Sequence, residues 1–268
     1  MKLEVVLSPN ELSALAKRDL QHTVCVVFDV LRATSTIVTA LHNGAKAVIP
    51  VAEISEALEF RRKQPDLLLG GERDGVRIRA AQTGSVDFDL GNSPREYTPE
   101  RVRGKTIVST TTNGTRALRA CAGAKTVLAA SFLNLAATAK CIQNLQPAEL
   151  LLVCAGTREN VATEDVLAAG ALAEMLASPL SMNRGRADLP VSLAAQQRRP
   201  AFGDSAVTAL DAWRKAEHNL PAAVSEAENA RRLLAIPGLR DDVAFCLQRD
   251  IFNLTAALER DGVIRISV

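Results

Sequence analysis

Aromatic residues and histidines are scarce in this chain of 268 residues. Phenylalanine, tryptophan and tyrosine make up 3% of it, with a single Trp213 and a single Tyr97. So few rings cannot build the stacking surface of a protein that binds single-stranded nucleic acid or sugars. The histidines His22, His42 and His218 all lie outside the polar loops described below. Neither a Ser-His-Asp triad nor phosphohistidine chemistry therefore has a candidate base.

Charge of one sign is not in excess, and long hydrophobic runs are missing. Lysine and arginine number 32 against 30 aspartates and glutamates, and a net charge of +2 argues against a protein that coats nucleic acid. No apolar run approaches the length of a membrane span, and residues 1–11 contain no apolar targeting segment. We expect a cytoplasmic protein with neither a nucleic-acid nor a membrane partner. A homo-oligomer stays open.

Metal-binding cysteine spacings are also missing. The sequence has no Cys-x-x-Cys pair and no cluster of cysteine with histidine, which argues against a zinc site. The cysteines are odd in number, widely spaced and mostly within apolar stretches, which predicts buried thiols in a reducing compartment. They are Cys25, Cys121, Cys141, Cys154 and Cys246.

The apolar residues that are present, 47% of the chain, fall into two kinds of segment. Short runs without polar alternation are typical of strands covered on both faces, and they span 23–30, 47–51, 67–69, 106–109, 126–130 and 150–154. Longer segments with apolar residues at helical spacing lie between them, at 33–42, 54–63, 115–122, 134–145 and 163–176. This alternation predicts an α/β fold with a mainly parallel sheet and helices on both faces.

A change of character after Leu176 divides the chain into two predicted α/β parts. Residues 1–177 form the core that carries the polar loops, and residues 178–268 complete the second part. That part begins with an exposed insertion at 178–200, which contains three prolines and four arginines. Helices are predicted at 204–218, at 222–235 and from Asp241, followed by a final strand at 262–268.

An internal similarity relates two of the predicted strand–helix–strand units. The first contains Asn43-Gly44-Ala45-Lys46-Ala47-Val48 and the second Ala122-Gly123-Ala124-Lys125-Thr126-Val127, with Gly44 and Gly123 lying 79 residues apart. Both units run strand, polar loop, helix, glycine C-cap and strand. A true duplication and the general likeness of such units explain this similarity equally well. In either case, both polar loops follow the carboxyl end of a strand.

The first polar loop places a carboxylate directly after a buried strand. Asp29 is followed by Arg32 and by the hydroxyl-rich helix start Thr34-Ser35-Thr36. A carboxylate beside free backbone N–H groups suits a phosphate and Mg²⁺ together. Two structural alternatives remain open: the hydroxyls cap the helix, and Arg32 pairs with Asp29. The Asp-x-Asp pattern of phosphatases with an aspartate nucleophile is absent, because Leu31 occupies the second aspartate position.

The second polar loop is rich in threonine. Its sequence, Ser109-Thr110-Thr111-Thr112-Asn113-Gly114-Thr115-Arg116, offers many donors for anionic oxygens. A threonine-rich helix cap with an Asn113-Gly114 turn is the structural alternative. The loop is not a Walker motif, and the chain contains no Gly-x-Gly-x-x-Gly, so nucleotide binding has no support from a motif.

Two further acidic residues, Glu72 and Asp165, lie just past predicted strand ends. Oxygen ligands from these residues and from Asp29 would converge at one edge of a parallel sheet, as a Mg²⁺ site requires. Taken singly, each also suits a helix cap or a solvated carboxylate. We expect the three, together with Asn113, to lie in a single cleft for a small, multiply anionic molecule.

Six short motifs occur in order along almost the whole chain. They are Asp29-Val30-Leu31-Arg32-Ala33-Thr34-Ser35-Thr36, Gly70-Gly71-Glu72-Arg73, Gly91-Asn92-Ser93-Pro94, Thr110-Thr111-Thr112-Asn113-Gly114-Thr115-Arg116-Ala117-Leu118, Cys154-Ala155-Gly156 and Glu164-Asp165, with a weaker match in Asp241-Asp242-Val243-Ala244-Phe245-Cys246. With these motifs the chain resembles the 2-phosphosulfolactate phosphatase family of coenzyme M biosynthesis. The resemblance implies a two-part α/β phosphoric monoester hydrolase. With Mg²⁺, it would convert 2-phospho-3-sulfolactate into 3-sulfolactate and phosphate.

The resemblance and the loops together assign roles to individual side chains. The expected metal ligands are Asp29, Glu72 and Asp165, and the expected catalytic residues are Asp29, Arg32 and Ser35. The expected substrate-binding residues are Thr34, Arg73, Asn92, Thr111, Thr112, Asn113 and Arg116, with Arg73 directed at the sulfonate or carboxylate.

Several alternatives to this hypothesis stay open. A metal-activated water suffices for phosphoryl transfer, yet a phosphoenzyme at Asp29 or Ser35 is not excluded. A related hydrolase would act on another phosphorylated hydroxy acid. A non-catalytic binder of phosphorylated acids would keep the arginine and threonine loops without needing the carboxylates.

Overall fold

The computed structural model describes residues 1–15, 17–177 and 200–267. The strands are β1 (Lys2–Val6), β2 (Thr23–Phe28), β3 (Ala47–Pro50), β4 (Leu68–Arg73), β5 (Val76–Arg77), β6 (Thr106–Thr110), β7 (Thr126–Ala130), β8 (Glu149–Cys154), β9 (Ala201–Phe202), β10 (Thr255–Leu258) and β11 (Ile264–Ser267). The α-helices are α1 (Leu12–Leu15), α2 (Ala33–His42), α3 (Ile54–Lys63), α4 (Ala80–Thr83), α5 (Pro99–Val102), α6 (Gly114–Ala120), α7 (Leu135–Leu145), α8 (Thr163–Ala177), α9 (Asp204–Ala216), α10 (Leu220–Ser225), α11 (Glu228–Leu234) and α12 (Arg240–Cys246).

The strands form one sheet in the order β5-β4-β6-β3-β11-β10-β7-β2-β8-β1-β9. Strands β4, β6 and β3 are parallel to one another, as are β7, β2, β8, β1 and β9. The antiparallel hairpin β10–β11 joins these two parallel blocks, and it pairs antiparallel with β7 on one side and β3 on the other. Three successive antiparallel pairings make the two blocks run in opposite directions.

Two strand–helix–strand units exchange strands between the blocks. The first unit, β2–α2–β3, begins beside β7 and ends beside β6, whereas the second unit, β6–α6–β7, begins beside β3 and ends beside β2. Each unit therefore starts in one block and finishes in the other. These are the two units that the internal similarity relates, and their exchange brings the loops after β2 and β6 together at the centre of the molecule.

The central strand β2 is covered on both faces. Its side chains alternate between two hydrophobic clusters: Val24, Val26 and Phe28 pack with α7 to α9, and Cys25 and Val27 pack with α1, α2 and α6. Burying one such aliphatic or aromatic side chain stabilises the fold by about 1.5–3 kcal/mol. This two-sided burial explains why the strand lacks polar alternation.

The predicted fold class, α/β with a mainly parallel sheet, is confirmed. Helices α2 and α3 begin and end at the predicted residues. The single helix predicted at 222–235 is wrong, because Ala227 is extended and separates α10 from α11. Strands β1, β5, β9 and β10 were not predicted, since none of them is an unbroken run of large apolar residues.

The division into residues 1–177 and 178–268 stays a prediction, and the insertion at 178–199 lies outside the described residues. Strands β9, β10 and β11, from the second part, pair with strands of the first part in the same sheet. Four of the cysteines are buried and Cys141 is partly buried, as predicted for free thiols. Within the described ranges, no helix is both long and apolar enough to cross a membrane.

Candidate active site

A cleft lies where the carboxyl ends of β2, β4, β6 and β8 meet, bordered on one side by α11. Carboxylates and guanidinium groups line it side by side: Asp29, Glu72, Asp74, Arg32, Arg158 and Arg232. Neutral donors from Asn92, Thr112, Asn113 and Asn229 complete much of its polar wall. The expected cleft is therefore present. It lies between two oppositely directed blocks and not along one edge of a single parallel sheet, because the two units exchange strands.

Asp29 is the first residue after β2, and the start of α2 fixes its position. Its Oδ1 accepts a hydrogen bond from the Ala33 N–H at 3.0 Å. Thr34 Oγ1 accepts from the Asp29 N–H at 3.0 Å and donates to the Asp29 carbonyl at 2.9 Å. Burial, with smaller contributions from the charges of Glu72 and Glu164, raises the pKa of Asp29 to about 6, although the hydrogen bond from the Ala33 N–H acts in the opposite direction. Asp29 is thus a buried carboxylate whose negative charge a nearby cation would stabilise.

The start of α6 packs directly against Asp29. A Cβ atom on Gly114 would lie 2.5 Å from the Ala33 Cβ and 2.6 Å from Asp29 Oδ2. The beginnings of α2 and α6 therefore lie too close together to leave room for a side chain at position 114. A glycine at this point is required by the close approach of the two exchanged units.

Glu72 lies at the end of β4 and connects two loops of the cleft. Its Oε1 accepts hydrogen bonds from the Thr112 N–H at 2.8 Å and the Thr112 hydroxyl at 3.0 Å. Its Oε2 accepts from the Gly75 N–H at 2.7 Å, which fixes the tip of the β4–β5 hairpin. Thr112 is therefore in the cleft as expected, where it orients a carboxylate.

Asp165, in the first turn of α8, does not line the cleft. Its Oδ1 accepts from the Val30 N–H at 2.8 Å and its Oδ2 from the Gly156 N–H at 3.0 Å. It thus ties the loop after β2 to the loop after β8. Burial raises the pKa of Asp165 well above its usual range, and the charges of Glu164 and Asp29 add to this increase.

The expected set of three carboxylate ligands is not assembled as one cluster. Across residues 1–15, 17–177 and 200–267, no three histidine, cysteine, aspartate or glutamate side chains are placed to hold a metal together. Asp29 and Glu72 both line the cleft, whereas Asp165 is directed at backbone amides. Because Mg²⁺ commonly takes one or two carboxylates and completes its shell with water and substrate oxygens, Asp29 with Glu72 fits such an ion.

Arg32 forms a buried ion pair, but its partner is Asp242 and not Asp29. Arg32 Nη1 lies 2.7 Å from Asp242 Oδ2, and both side chains are almost fully buried. Arg32 Nη2 donates to the Gly75 carbonyl, and Ser93 Oγ donates to Asp242 Oδ1 at 2.7 Å. Arg32 thus lines the cleft and links the tip of the β4–β5 hairpin, at Gly75, to Asp242 on α12.

The other expected residues divide between the cleft and its support. Asn92 and Asn113 line the cleft, and Asn113 Nδ2 donates to the carbonyls of Ala155 and Arg158, both at 2.9 Å. The hydroxyls of Thr34, Ser35 and Thr111 are buried in local contacts at the helix starts. Ser35 Oγ, for example, donates to the Val30 carbonyl at 2.8 Å. Thr34 and Ser35 donate to carbonyls of the preceding loop, whereas Thr111 Oγ1 accepts from the Thr115 N–H, so only Thr111 matches the capping alternative.

Arg73 and Arg116 do not line the cleft. Arg73 donates to the Glu72 carbonyl at 2.8 Å and to Thr110 Oγ1 at 3.0 Å, so it braces β4 against β6. Arg116 has a half-exposed side chain and lies 3.5 Å from Glu159 on the surface. The structure therefore places both arginines outside the cleft.

The sequence patterns did not predict four residues of the cleft region, which are Arg158, Asn229, Arg232 and Asp242, the ion-pair partner of Arg32. Asn229 and Arg232 are three residues apart on α11, where no strand end draws attention to them. Their only sequence signal is a polar pair at a spacing that places both on one helix face. Asp242 lies in the weakest of the family motifs, which marked the region without indicating a role.

Comparison with known proteins indicates the family of the chain. Residues 10–261 match the profile described as 2-phosphosulpholactate phosphatase. A "Probable 2-phosphosulfolactate phosphatase" of Caldanaerobacter subterraneus is 37% identical over 257 residues, which cover 95% of each chain. One of Thermotoga maritima is 39% identical over 233 residues, covering 87% of this chain and 88% of the relative. The chain belongs to the 2-phosphosulpholactate phosphatase family.

Proposed function

We propose that this protein is a phosphoric monoester hydrolase that converts 2-phospho-3-sulfolactate into 3-sulfolactate and phosphate with the help of Mg²⁺. The observation that carries the proposal is that Asp29 and Glu72 line one cleft together with arginines and neutral hydrogen-bond donors. A phosphoryl group needs a partner for its negative oxygens and a fixed orientation, and little covalent chemistry from the protein. Family membership supplies the substrate class.

Asp29 and Glu72 are the residues that would hold Mg²⁺. The ion supplies charge stabilisation for phosphoryl oxygens when it is bound. The hydrogen bonds from Ala33, Thr112 and Gly75 keep the two carboxylates in fixed orientations before substrate arrives. Such preorganisation avoids a reorganisation cost during the reaction.

Asp165 and Arg32 are positioning residues in this proposal. Asp165 holds the loops after β2 and β8 in register through two backbone amides. Arg32 holds the hairpin tip through the Gly75 carbonyl. Ser35 is fully buried and donates to a backbone carbonyl, so it has no part in the proposed chemistry.

Phosphate release from 2-phospho-3-sulfolactate, measured with Mg²⁺ and with EDTA, tests the proposal. Other phosphorylated hydroxy acids are assayed in parallel. We expect Mg²⁺-dependent release that Asp29→Asn lowers by at least about 100-fold, as for the loss of a preorganised charged group in an active site. Asp66→Asn, a change of the same kind at an exposed position, serves as the control.

The outcomes separate the competing functions. Release from a different phosphorylated acid would overturn the substrate and retain the reaction class. If calorimetry detects binding of a phosphorylated acid but no phosphate is released, the protein is a non-catalytic binder. Full activity of Asp29→Asn at limiting Mg²⁺ would remove Asp29 from the metal site.

A further inference from the structure

Of the three arginines that line the cleft, two are free of carboxylate partners. Arg32 is neutralised by Asp242. Within the described part of the chain, no carboxylate lies within 4 Å of the guanidinium groups of Arg158 and Arg232. Arg158 is exposed, whereas Arg232 is partly buried and held by neighbours. Arg232 is thus the better ordered of the two guanidinium groups that have no carboxylate in direct contact.

Asn229 fixes the guanidinium of Arg232 from α11. Asn229 Nδ2 donates to Glu164 Oε1 at 2.8 Å and to Thr157 Oγ1, and Asn229 Oδ1 accepts from Arg232 Nη2 at 2.8 Å. A carboxylate can only accept here, so Glu164 determines which end of the Asn229 amide faces it. The amide oxygen is consequently turned towards Arg232. Glu164 therefore orients Arg232 through Asn229.

Two buried atoms in this chain of contacts lack protein partners. Glu164 is 1% exposed, and its Oε2 has no hydrogen-bond partner, nor has the buried Arg232 Nε. A Cβ built on Gly75 would lie 3.5 Å from that Nε, so the hairpin tip lies against the guanidinium. An anionic oxygen in the cleft could accept from the free Arg232 Nε, whereas Glu164 Oε2, which is an acceptor, would need a donor such as water.

From these contacts we infer that Arg232 binds the second anionic group of the substrate, its sulfonate or carboxylate, and that Asn229 and Glu164 are the residues that position it. This inference rests on the proposed function and names the specificity determinant of the same site. A planar guanidinium can hold such a group through two parallel N–H bonds, which a lysine cannot reproduce. Arg232, on α11, thus has the role in binding the sulfonate or carboxylate that the sequence suggested for Arg73.

The experiment compares two substrates in Arg232→Gln and in Arg232→Lys. One substrate is 2-phospho-3-sulfolactate, and the other is p-nitrophenyl phosphate, which has no second anionic group. Losing a charged hydrogen bond predicts a roughly 10- to 100-fold rise in KM for the first substrate. A much smaller change is expected for the second, so the selectivity ratio falls by at least about tenfold. Arg232→Lys is expected to recover part of the loss.

The matched control is Arg231→Gln, one residue earlier on the same helix. Arg231 is exposed, and its contacts are with Glu226 at the surface. We expect this variant to retain both activities. Equal losses on both substrates in Arg232→Gln, or no loss on either, would overturn the inference.

Asn229→Ala tests the positioning step. Its expected signature is a rise in KM for 2-phospho-3-sulfolactate with kcat little changed, and a melting temperature that shows the variant is folded. A general lesion of the site would lower kcat for both substrates alike and would overturn the positioning role.

Calorimetric binding of 3-sulfolactate separates this inference from the proposed function. The compound has no phosphate, so its affinity does not depend on turnover. If the wild type binds it and Arg232→Gln weakens binding at least about tenfold, the inference holds even if the phosphatase assay fails. Unchanged affinity in Arg232→Gln would overturn the inference while leaving phosphate release intact.

Discussion

The two exchanged units place a polar loop at equivalent points but give it different chemistry. After β2 the loop contributes the buried carboxylate of Asp29, whereas after β6 it contributes the neutral donors of Thr112 and Asn113. The second carboxylate of the cleft comes instead from Glu72, on β4, which pairs with β6 in the sheet. Thr112 orients this carboxylate through two hydrogen bonds. The loop after β2 thus contributes a charged side chain to the cleft, whereas the loop after β6 orients the charged side chain of Glu72.

This difference shows why an internal similarity is a poor guide to function. Both loops lie between a strand and a helix, and in both a threonine hydroxyl at the helix start donates to a backbone carbonyl of the loop. The two loops differ in the residues that they contribute to the cleft, which are Asp29 after β2 and both Thr112 and Asn113 after β6. The contact between the two units, at Gly114 and Asp29, is where the two halves become one site.

The largest expected effect on stability comes from removing the charge of the first loop. The folded-state pKa of Asp29, about 6, lies above its ordinary value of 3.8, so the wild type loses stability as pH rises from about 4 to 6. Asp29→Asn does not ionise and escapes this loss. Its free energy of unfolding should exceed that of the wild type by up to about 3 kcal/mol at pH 7 without Mg²⁺ and should match it near pH 4.

Urea unfolding at a series of pH values measures this difference. A constant gap across the range would mean that the burial of Asp29 is not what the substitution relieves. Added Mg²⁺ should narrow the gap at pH 7 by stabilising the wild type alone, since a ligand that binds only the folded state raises its stability.

The contact between the units is broken by Gly114→Ala. The added Cβ would lie 2.5 Å from the Ala33 Cβ and 2.6 Å from Asp29 Oδ2, so both must move. We expect a loss of about 1–3 kcal/mol in the free energy of unfolding, together with lower phosphatase activity. Gly123→Ala, where nothing lies within 4 Å of the new atom, is the control and should be neutral or slightly stabilising.

The different roles of two threonines in the second loop can be tested by replacing each with valine. Thr112→Val removes the hydroxyl that donates to Glu72 at 3.0 Å, and should lower kcat/KM by about tenfold with little change in unfolding. Thr115→Val removes a hydrogen bond from the hydroxyl to the Thr111 carbonyl at the start of α6, and should cost about 1 kcal/mol of stability with kcat/KM retained. Identical effects of both substitutions would contradict the assignment of Thr112 to the cleft.

The smallest effect is expected at the exposed end of the second loop. Arg116→Gln breaks a half-exposed ion pair with Glu159, which contributes less than about 1 kcal/mol. We expect unchanged melting temperature and unchanged KM for 2-phospho-3-sulfolactate. A several-fold rise in KM would return Arg116 to substrate binding.

Local sequence patterns determined much of the fold and half of the site. Unbroken apolar runs marked the covered strands, and Asp29, Glu72, Thr112 and Asn113 were correctly placed in one cleft because each lies at or just after the carboxyl end of a strand. The motif order also indicated the family, which the comparisons confirmed. These features depend on the chain near each residue, so they can be predicted from short segments.

Tertiary structure alone decided which charges reach the cleft. Asp165 and Arg73 look equivalent to Asp29 and Glu72 in sequence, yet backbone amides and carbonyls engage them elsewhere. Arg232 comes from a helix more than 150 residues from β4 along the chain, and Asp242 neutralises Arg32 across a similar distance. No local pattern records such pairings, because a buried charge is stabilised by whichever partner the folded chain brings within a few ångströms.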